Sequence, residues 1–168
     1  MNPTGQRAQA LVEFALVSVF LALLLGAVIE FGLLFGHKIE LAGSARDGAR
    51  WAASHSTAWT AAVSPPSNSI EGQLRAGGGT TQLANDDAHM TIEYLALSGG
   101  STTVCGHYSQ ATAVFTPAAG YSQATCVIAG NLVRVTLRNS YPLVTGLLGG
   151  AVGAQVSLSA VATMVMTS

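Results

Sequence analysis

The residues of this sequence that carry reactive side chains are few and dispersed. Histidines, cysteines and carboxylates show no metal-ligand spacing, and the sequence contains no GxSxG, Walker or Rossmann pattern. A nucleophile, a base and an orienting group cannot be assembled from this set. We therefore expect no enzymatic activity, no metal and no cofactor. The four histidines are predicted to lie at the surface or at an interface: His37, His55, His89 and His107.

The acidic run Asn85-Asp86-Asp87 places three oxygen-bearing side chains together. A complete calcium loop needs further oxygen ligands at defined positions, and they are missing here. We interpret the run as a polar turn.

Cys105 and Cys126 are the only cysteines in the sequence. No CxxC or Cys/His metal spacing competes for them, so we predict a disulfide; the alternative is two buried free thiols. In an oxidising compartment, the bond would contribute about 3 kcal/mol by restricting the unfolded chain.

The carboxylate with the most informative position is Glu13, at the start of the apolar stretch Leu11–Gly36. As a helix this stretch would be roughly 39 Å long, more than the ~30 Å hydrocarbon core of a bilayer. It is too long for the apolar region of a signal peptide, so we interpret it as a retained helix. A lone charge at membrane depth costs about 2.5–3.5 kcal/mol, so Glu13 needs a partner.

Glu30 is the second carboxylate of the stretch. We expect it to lie at the outer interface or to pair with Lys38 or Arg46 across a subunit boundary.

Composition excludes one class of partner and leaves membrane orientation open on charge alone. The chain of 168 residues is 49% hydrophobic and 9% charged, with net charge −1 and mean hydropathy +0.44. Nucleic-acid binding through a basic patch is therefore not expected. Arg7 precedes the stretch, but Lys38, Arg46 and Arg50 follow it and outnumber Arg7. The cysteine pair and the large distal part favour a single pass with the N-terminus inside.

Small residues predict close helix packing, first within the apolar stretch and then beyond it. Gly32 and Gly36 form a GxxxG pattern, and helix-compatible sequence continues to Ser54. The partner of this packing is unspecified, and alanine is also simply the best helix former. The alanines that recur at helical spacing are Ala42, Ala45, Ala49 and Ala52.

The remainder predicts a connector over residues 55–89 and a β-rich distal domain over residues 90–168. The connector is broken by Pro65-Pro66 and Gly77-Gly78-Gly79, with a short helix between them capped by Ser67 or Asn68. Alternating residues predict strands at 90–96 and 133–138, and more weakly at 111–115. A tight turn at Gly130-Asn131 predicts a hairpin between residues 126–129 and the run from Leu132 onward.

The uncharged segment Pro142–Met166 is long enough to raise the question of a second span. Its glycines and alternating serines favour a loop or short helix followed by a terminal strand. The predicted fold class is therefore α+β: a long N-terminal transmembrane helix followed by a small antiparallel β-rich domain.

The run from Arg7 to Val17, RAQALVEFALV, resembles the N-terminus of TadE-like proteins, the pseudopilins of the tight-adherence (Tad/Flp-type) pilus. Residues 45–53, ARDGARWAA, are similar to the helix that follows the apolar segment in that family. Residues 132–136, Tyr141-Pro142 and 156–166 also fit its C-terminal part. The segment from Ser54 to Gly130 has no counterpart that we can match.

The resemblance implies a pilin-like fold and a processing site. In this family a prepilin peptidase removes a cytoplasmic leader so that a glutamate lies fifth in the mature chain. Counting back from Glu13 makes residues 1–8 the leader, with Ala8 before the cut and Gln9 first after it. Ala8 stands where family members usually have glycine. The new α-amine would then pair with Glu13 of a neighbouring subunit and set its register.

The resemblance also implies partners and a location. The partners are other pilin subunits through the helix over residues 9–54, the prepilin peptidase, the pilus assembly machinery and the lipid bilayer before assembly. The location is the bacterial inner membrane, with the domain outside, or the extracellular filament. The expected function is that of a minor pilin in a pilus used for surface adhesion. Two alternatives remain: a principal filament subunit, and a membrane-anchored ligand-binding module.

Overall fold

A computed structural model describes residues 3–77, 83–143 and 153–167, with side chains described from Gln9 onward. The elements follow one another as α1 (Pro3–Ser54), α2 (Ile70–Gly77), β1 (Met90–Ser98), β2 (Ser101–Ser109), β3 (Val114–Pro117), α3 (Gln123–Cys126), β4 (Leu132–Pro142) and β5 (Gln155–Val165). This architecture confirms the predicted α+β class: a long apolar helix followed by a small antiparallel sheet.

The chain forms two compact units. The first comprises Met1–Gly36 and Tyr141–Val156, and the second comprises His37–Ser140 and Ser157–Ser168. The helix α1 runs without interruption because its apolar residues include many leucines and alanines, and it contains no proline after Pro3. The first two residues of the predicted leader lie outside the described residues.

The sheet has five strands in the order β3-β2-β1-β4-β5. β1 pairs antiparallel with β2 and β4, and its register places Glu93 beside both His107 and Arg134. The register with β2 shifts between Tyr94 and Leu95, which is a β-bulge. The tight turn between β1 and β2 uses Gly99 and Gly100, both with positive φ.

The core of the second unit lies between one face of the sheet and the last part of α1. The small residues Ala45, Ala49 and Ala52 are 0% exposed, and Leu41 is 1% exposed. Alternate residues of the strands supply the other side, because successive side chains of a strand point to opposite faces. They are Met90, Ile92, Tyr94, Val133, Val135, Leu137, Ala160 and Ala162.

The helix α2 packs closely against α1 and begins slightly later than the sequence predicted. Its cap is Ser69 rather than Ser67 or Asn68, because the Ser69 hydroxyl accepts the Gly72 backbone N–H at 3.0 Å. A Cβ on Gly48 of α1 would lie 2.1 Å from Leu74 Cδ2. The glycine therefore permits the close approach of the two helices.

The predicted hairpin at residues 126–131 is wrong. Residues 123–126 form α3, whose Ser122 cap and Thr125 side chain make a reciprocal capping box. Residues 127–131 contain no strand, and Gly130 has φ 89°. The local hydrogen bonds of Ser122 and Thr125 favour a helical turn, so the apolar run after it does not pair as a strand.

Three of the other strand predictions are confirmed, and a fourth is confirmed in part. The alternations at 90–96 and 133–138 are confirmed as parts of β1 and β4, and the weak candidate at 111–115 overlaps β3 only at its end. The predicted terminal strand is confirmed as β5. The loop predicted before β5 falls largely on residues 144–152, which lie outside the described residues. The same holds for Gly78 and Gly79 of the predicted break. β2 was not predicted.

Candidate functional site: the N-terminal helix

The apolar part of α1 presents its side chains outward. Phe14 and Leu16 are each 71% exposed, and Phe35 is still 67% exposed. By length and composition, α1 is the one helix among residues 3–77, 83–143 and 153–167 that is able to cross a membrane. An apolar surface of this extent requires either lipid or protein to cover it.

Glu13 lies on this apolar surface. Its carboxylate Oε1 accepts the side-chain amide of Gln9 at 3.4 Å, one helical turn earlier. The neighbouring Val12 and Phe14 are both more than 60% exposed. A neutral amide leaves the charge uncompensated, so Glu13 retains the capacity to bind a cation from another molecule.

The two glycines of the GxxxG pattern face open space. A Cβ added at Gly32 or at Gly36 would meet nothing within 4 Å. The structure therefore leaves this position of α1 accessible to the backbone of another helix.

The alanines have a different environment from these glycines. Ala45, Ala49 and Ala52 are wholly buried in the core of the second unit, and Ala42 is half-buried against it. Their small side chains let α1 lie close to the chain's own sheet and to α2. The structure thus supplies, from within the chain, a partner that the sequence had left unspecified.

Glu30 is 1% exposed, although most of the apolar side chains around it are exposed. The two basic residues considered as its partners belong to the second unit. Lys38 donates a hydrogen bond to the Ser159 carbonyl, and Arg46 is exposed. The pairing of Glu30 across a subunit boundary stays a prediction.

The predicted disulfide between Cys105 and Cys126 is confirmed. It joins β2 to α3 across 21 residues, and both cysteines are 0% exposed. The bond holds α3 against β2, and the Ala118 backbone N–H donates to the Cys105 carbonyl at 2.9 Å.

A buried polar cluster lies in the stretch that the sequence presents only as a connector. The Trp59 indole N–H donates to the Tyr94 hydroxyl at 2.7 Å, and this hydroxyl donates to the Ser56 carbonyl. The Glu71 carboxylate accepts the Thr60 backbone N–H at 3.0 Å. Burial raises the pKa of Glu71 to about 7, against the opposing effect of its backbone hydrogen bonds. The sequence signal for this cluster was Trp59, the one Trp, Tyr or Phe residue of the predicted connector.

The acidic run is a turn, as the sequence predicted. Asp86 Oδ1 accepts the backbone N–H groups of Ala88 and His89 and contacts His89 Nδ1 at 2.7 Å. The hydrogen bond from the His89 side chain is the main cause that lowers the pKa of Asp86. Asp87 accepts Ser109 and Gln110 donors at 2.7 and 2.8 Å. No group of metal-binding side chains occurs among the residues that the structure describes.

The chain has one exposed apolar helix followed by a small α+β domain with a disulfide. These features define a class of proteins whose N-terminal helix is suited to be a membrane anchor. Residues 8–50 match the model of the family described as TadE-like protein, which confirms the resemblance drawn from the N-terminal residues. The matched range contains Ala8, Gln9 and Glu13 and ends before the sheet. The similarity to this family is therefore carried by the helix α1. No curated protein and no solved structure matches the chain.

Proposed function

We propose that this chain is a minor pilin, or pseudopilin, of a Tad/Flp-type pilus and takes part in assembling a filament used for adhesion. The observation that supports this function most is the family match over the segment that carries Glu13 on an exposed apolar helix. The chain would hydrolyse nothing; its role would be to pack against other subunits.

The proposal assigns different roles to the two parts of α1. Before assembly, the stretch Leu11–Gly36 would lie in the bacterial inner membrane, with the N-terminus inside and the domain outside. After assembly, the same surface would contact other subunits, with Gly32 and Gly36 as positions of close approach. One face of the second part of α1 is already buried by its own domain, so this part would carry that domain on the filament rather than join subunits.

The proposed processing step connects Glu13 to assembly. Cleavage by a prepilin peptidase between Ala8 and Gln9 would create an α-amine four residues before the carboxylate. A neighbouring subunit's amine would then neutralise Glu13 when lipid is replaced by protein. An ion pair of this kind fixes register more than it adds stability, because removal of either partner leaves a buried charge.

The test replaces the carboxylate and asks whether insertion and assembly separate. Glu13→Leu and Glu13→Gln should insert into the membrane normally but fail to enter filaments. Asp47→Asn is the matched control, because it removes an exposed carboxylate from the same helix beyond the apolar stretch. Membrane fractionation and sheared-filament immunoblots measure the two steps. Normal incorporation of Glu13→Leu would contradict the proposal.

The mature N-terminus provides an independent check of the same proposal. Mass spectrometry of the chain purified from membranes should find Gln9 as the first residue. An intact leader would instead favour the membrane-anchored binding module.

A further inference from the structure

A groove of about 440 Å³ lies in the second unit, where three chain segments meet. His89 precedes β1, Arg138 and Ser140 belong to β4, and Ser157 and Ser159 belong to β5. The Arg138 backbone N–H donates to the His89 carbonyl at 2.8 Å, which fixes these two residues side by side. The proposed pilin function assigns nothing to this groove.

Arg138 supplies the principal charge of the groove. Its side chain is exposed, and Nη1 donates to the Thr91 hydroxyl at 3.1 Å. A guanidinium has five N–H donors, so this bond leaves most of them available. Among the described residues, no carboxylate forms a salt bridge with Arg138. One hydrogen bond therefore holds the Arg138 guanidinium, and no salt bridge compensates its charge among the described residues.

The other polar groups of the groove complement the guanidinium. His89 is held through Nδ1 by Asp86, and three serines line the β4 and β5 sides. A phosphate group matches this set, because its oxygens accept a two-pronged bond from arginine and single bonds from hydroxyls. A neutral sugar would use the hydroxyls but would leave the guanidinium unpaired.

Lys38 contacts the wall of the groove and follows the apolar stretch Leu11–Gly36 in the sequence. Its ammonium group donates to the carbonyl of Ser159, a residue of the groove wall. Lys38 lies two residues after Gly36, the end of the apolar stretch, which is about 3 Å along a helix. Lysine and arginine just beyond a span attract anionic headgroups. Ser159, in the groove wall, therefore contacts a lysine that lies two residues after the apolar stretch in the sequence.

We propose that this groove binds a phosphate group, which the headgroup of an anionic phospholipid beside the helix supplies. The phosphate site follows from the groove itself. The lipid source rests on the apolar stretch being in a bilayer, and neither part depends on pilus assembly.

Binding is measured by NMR on the isotope-labelled full chain in neutral detergent. The probes are dihexanoyl phosphatidylglycerol, dihexanoylglycerol, which lacks the phosphate, and inorganic phosphate. The phosphatidylglycerol titration should shift the backbone amides of Arg138, Ser157 and Ser159. Equal shifts with the phosphate-free lipid would overturn the phosphate site. Inorganic phosphate binding as tightly as phosphatidylglycerol would overturn the headgroup assignment.

Two arginine variants distinguish the groove from general surface charge. Arg138→Gln should weaken phosphatidylglycerol binding by roughly tenfold or more, because charge-assisted hydrogen bonds are lost. Arg46→Gln removes one charge from the exposed surface of α1 outside the groove and should change binding less than about twofold. Equal weakening in both variants would overturn the proposal.

Arg138→Lys keeps the charge, so it shows whether the two-pronged geometry matters, and it covers the case in which Arg138→Gln fails to fold. Its affinity should fall between those of the wild type and Arg138→Gln. Wild-type affinity in Arg138→Lys would overturn the two-pronged contact.

Discussion

At the scale of single residues, Glu71 lies in an unfavourable environment for a charged group. The residue is 0% exposed, one carboxylate oxygen accepts the Thr60 N–H, and Oε1 has no hydrogen-bond partner among the described residues. Nearby aromatic hydroxyls add no compensating charge, and burial raises the pKa of Tyr94 and of Tyr108. A neutral carboxylic acid suits this site better than a carboxylate.

Glu71 should therefore make stability depend on pH. Its pKa rises from 4.5 to about 7 on folding, so between these values the folded chain holds a proton that the unfolded chain releases. The contribution of Glu71 to stability is then complete below about pH 4.5 and is lost as pH rises, by on the order of 3 kcal/mol once pH passes 7. Glu71→Gln, which is neutral throughout, should lose this dependence.

The measurement is urea unfolding followed by tryptophan fluorescence at about pH 5 and about pH 8. Glu93→Gln is the control, because Glu93 is partly exposed and paired with Arg134 at 2.8 Å. It should retain the wild-type loss of stability between the two pH values. The assignment fails if Glu71→Gln shows the same loss as the wild type.

The sequence predicted some residue roles and not others for a physical reason. Cys105 and Cys126 were predictable because no other cysteine was present, so pairing needed no knowledge of the fold. The burial of Glu71 was not predictable, because the residues that enclose it come from distant parts of the chain. Trp59 stacks on Tyr108 with ring centroids 5.0 Å apart, and Tyr94 lies in the same cluster.

At the scale of elements, α1 has two parts with opposite surface chemistry. Large apolar side chains between Leu11 and Phe35 are exposed, whereas small side chains between Leu41 and Ala53 are buried. Period-two alternation predicted β1, β4 and β5, because each has one face on the core. It missed β2, whose first four residues are all exposed and which therefore begins with no alternation to detect.

Two glycines of α1 should respond in opposite directions to the same substitution. Gly48→Ala would place its Cβ against Leu74, which is 0% exposed and has little room to move, so a loss of about 1–3 kcal/mol is expected. Gly43→Ala meets nothing within 4 Å and should gain up to about 1 kcal/mol from helix propensity. Urea unfolding of the two variants in parallel measures the difference. Equal stability would show that α1 and α2 are not in close contact at Gly48.

At the scale of the whole molecule, the boundary of the second unit falls inside α1, at His37, rather than at the helix end. The family match, which ends at residue 50, thus covers both the exposed part of the helix and most of its buried part. The sequence predicted one helix followed by a β-rich domain because composition changes sharply after Ser54. It did not predict that the domain core includes the helix, since alanine at helical spacing favours a helix whether or not that face is buried.

The position of this boundary determines which fragments should fold. A fragment of residues 37–168 keeps Leu41, Ala45, Ala49 and Ala52 against the sheet and should retain the Cys105–Cys126 bond, a cooperative unfolding transition and near-ultraviolet circular dichroism. A fragment of residues 55–168 lacks this cover and exposes the apolar sheet face.

Burial of a single leucine is worth about 1.5–3 kcal/mol, and domains of this size have only about 5–15 kcal/mol of stability. The shorter fragment should therefore lose its cooperative transition and expose apolar surface that binds the dye ANS. A fragment of residues 55–168 that unfolds as cooperatively as residues 37–168 would mean that the sheet is covered without the helix. The buried alanines would then have to be explained by helix propensity alone.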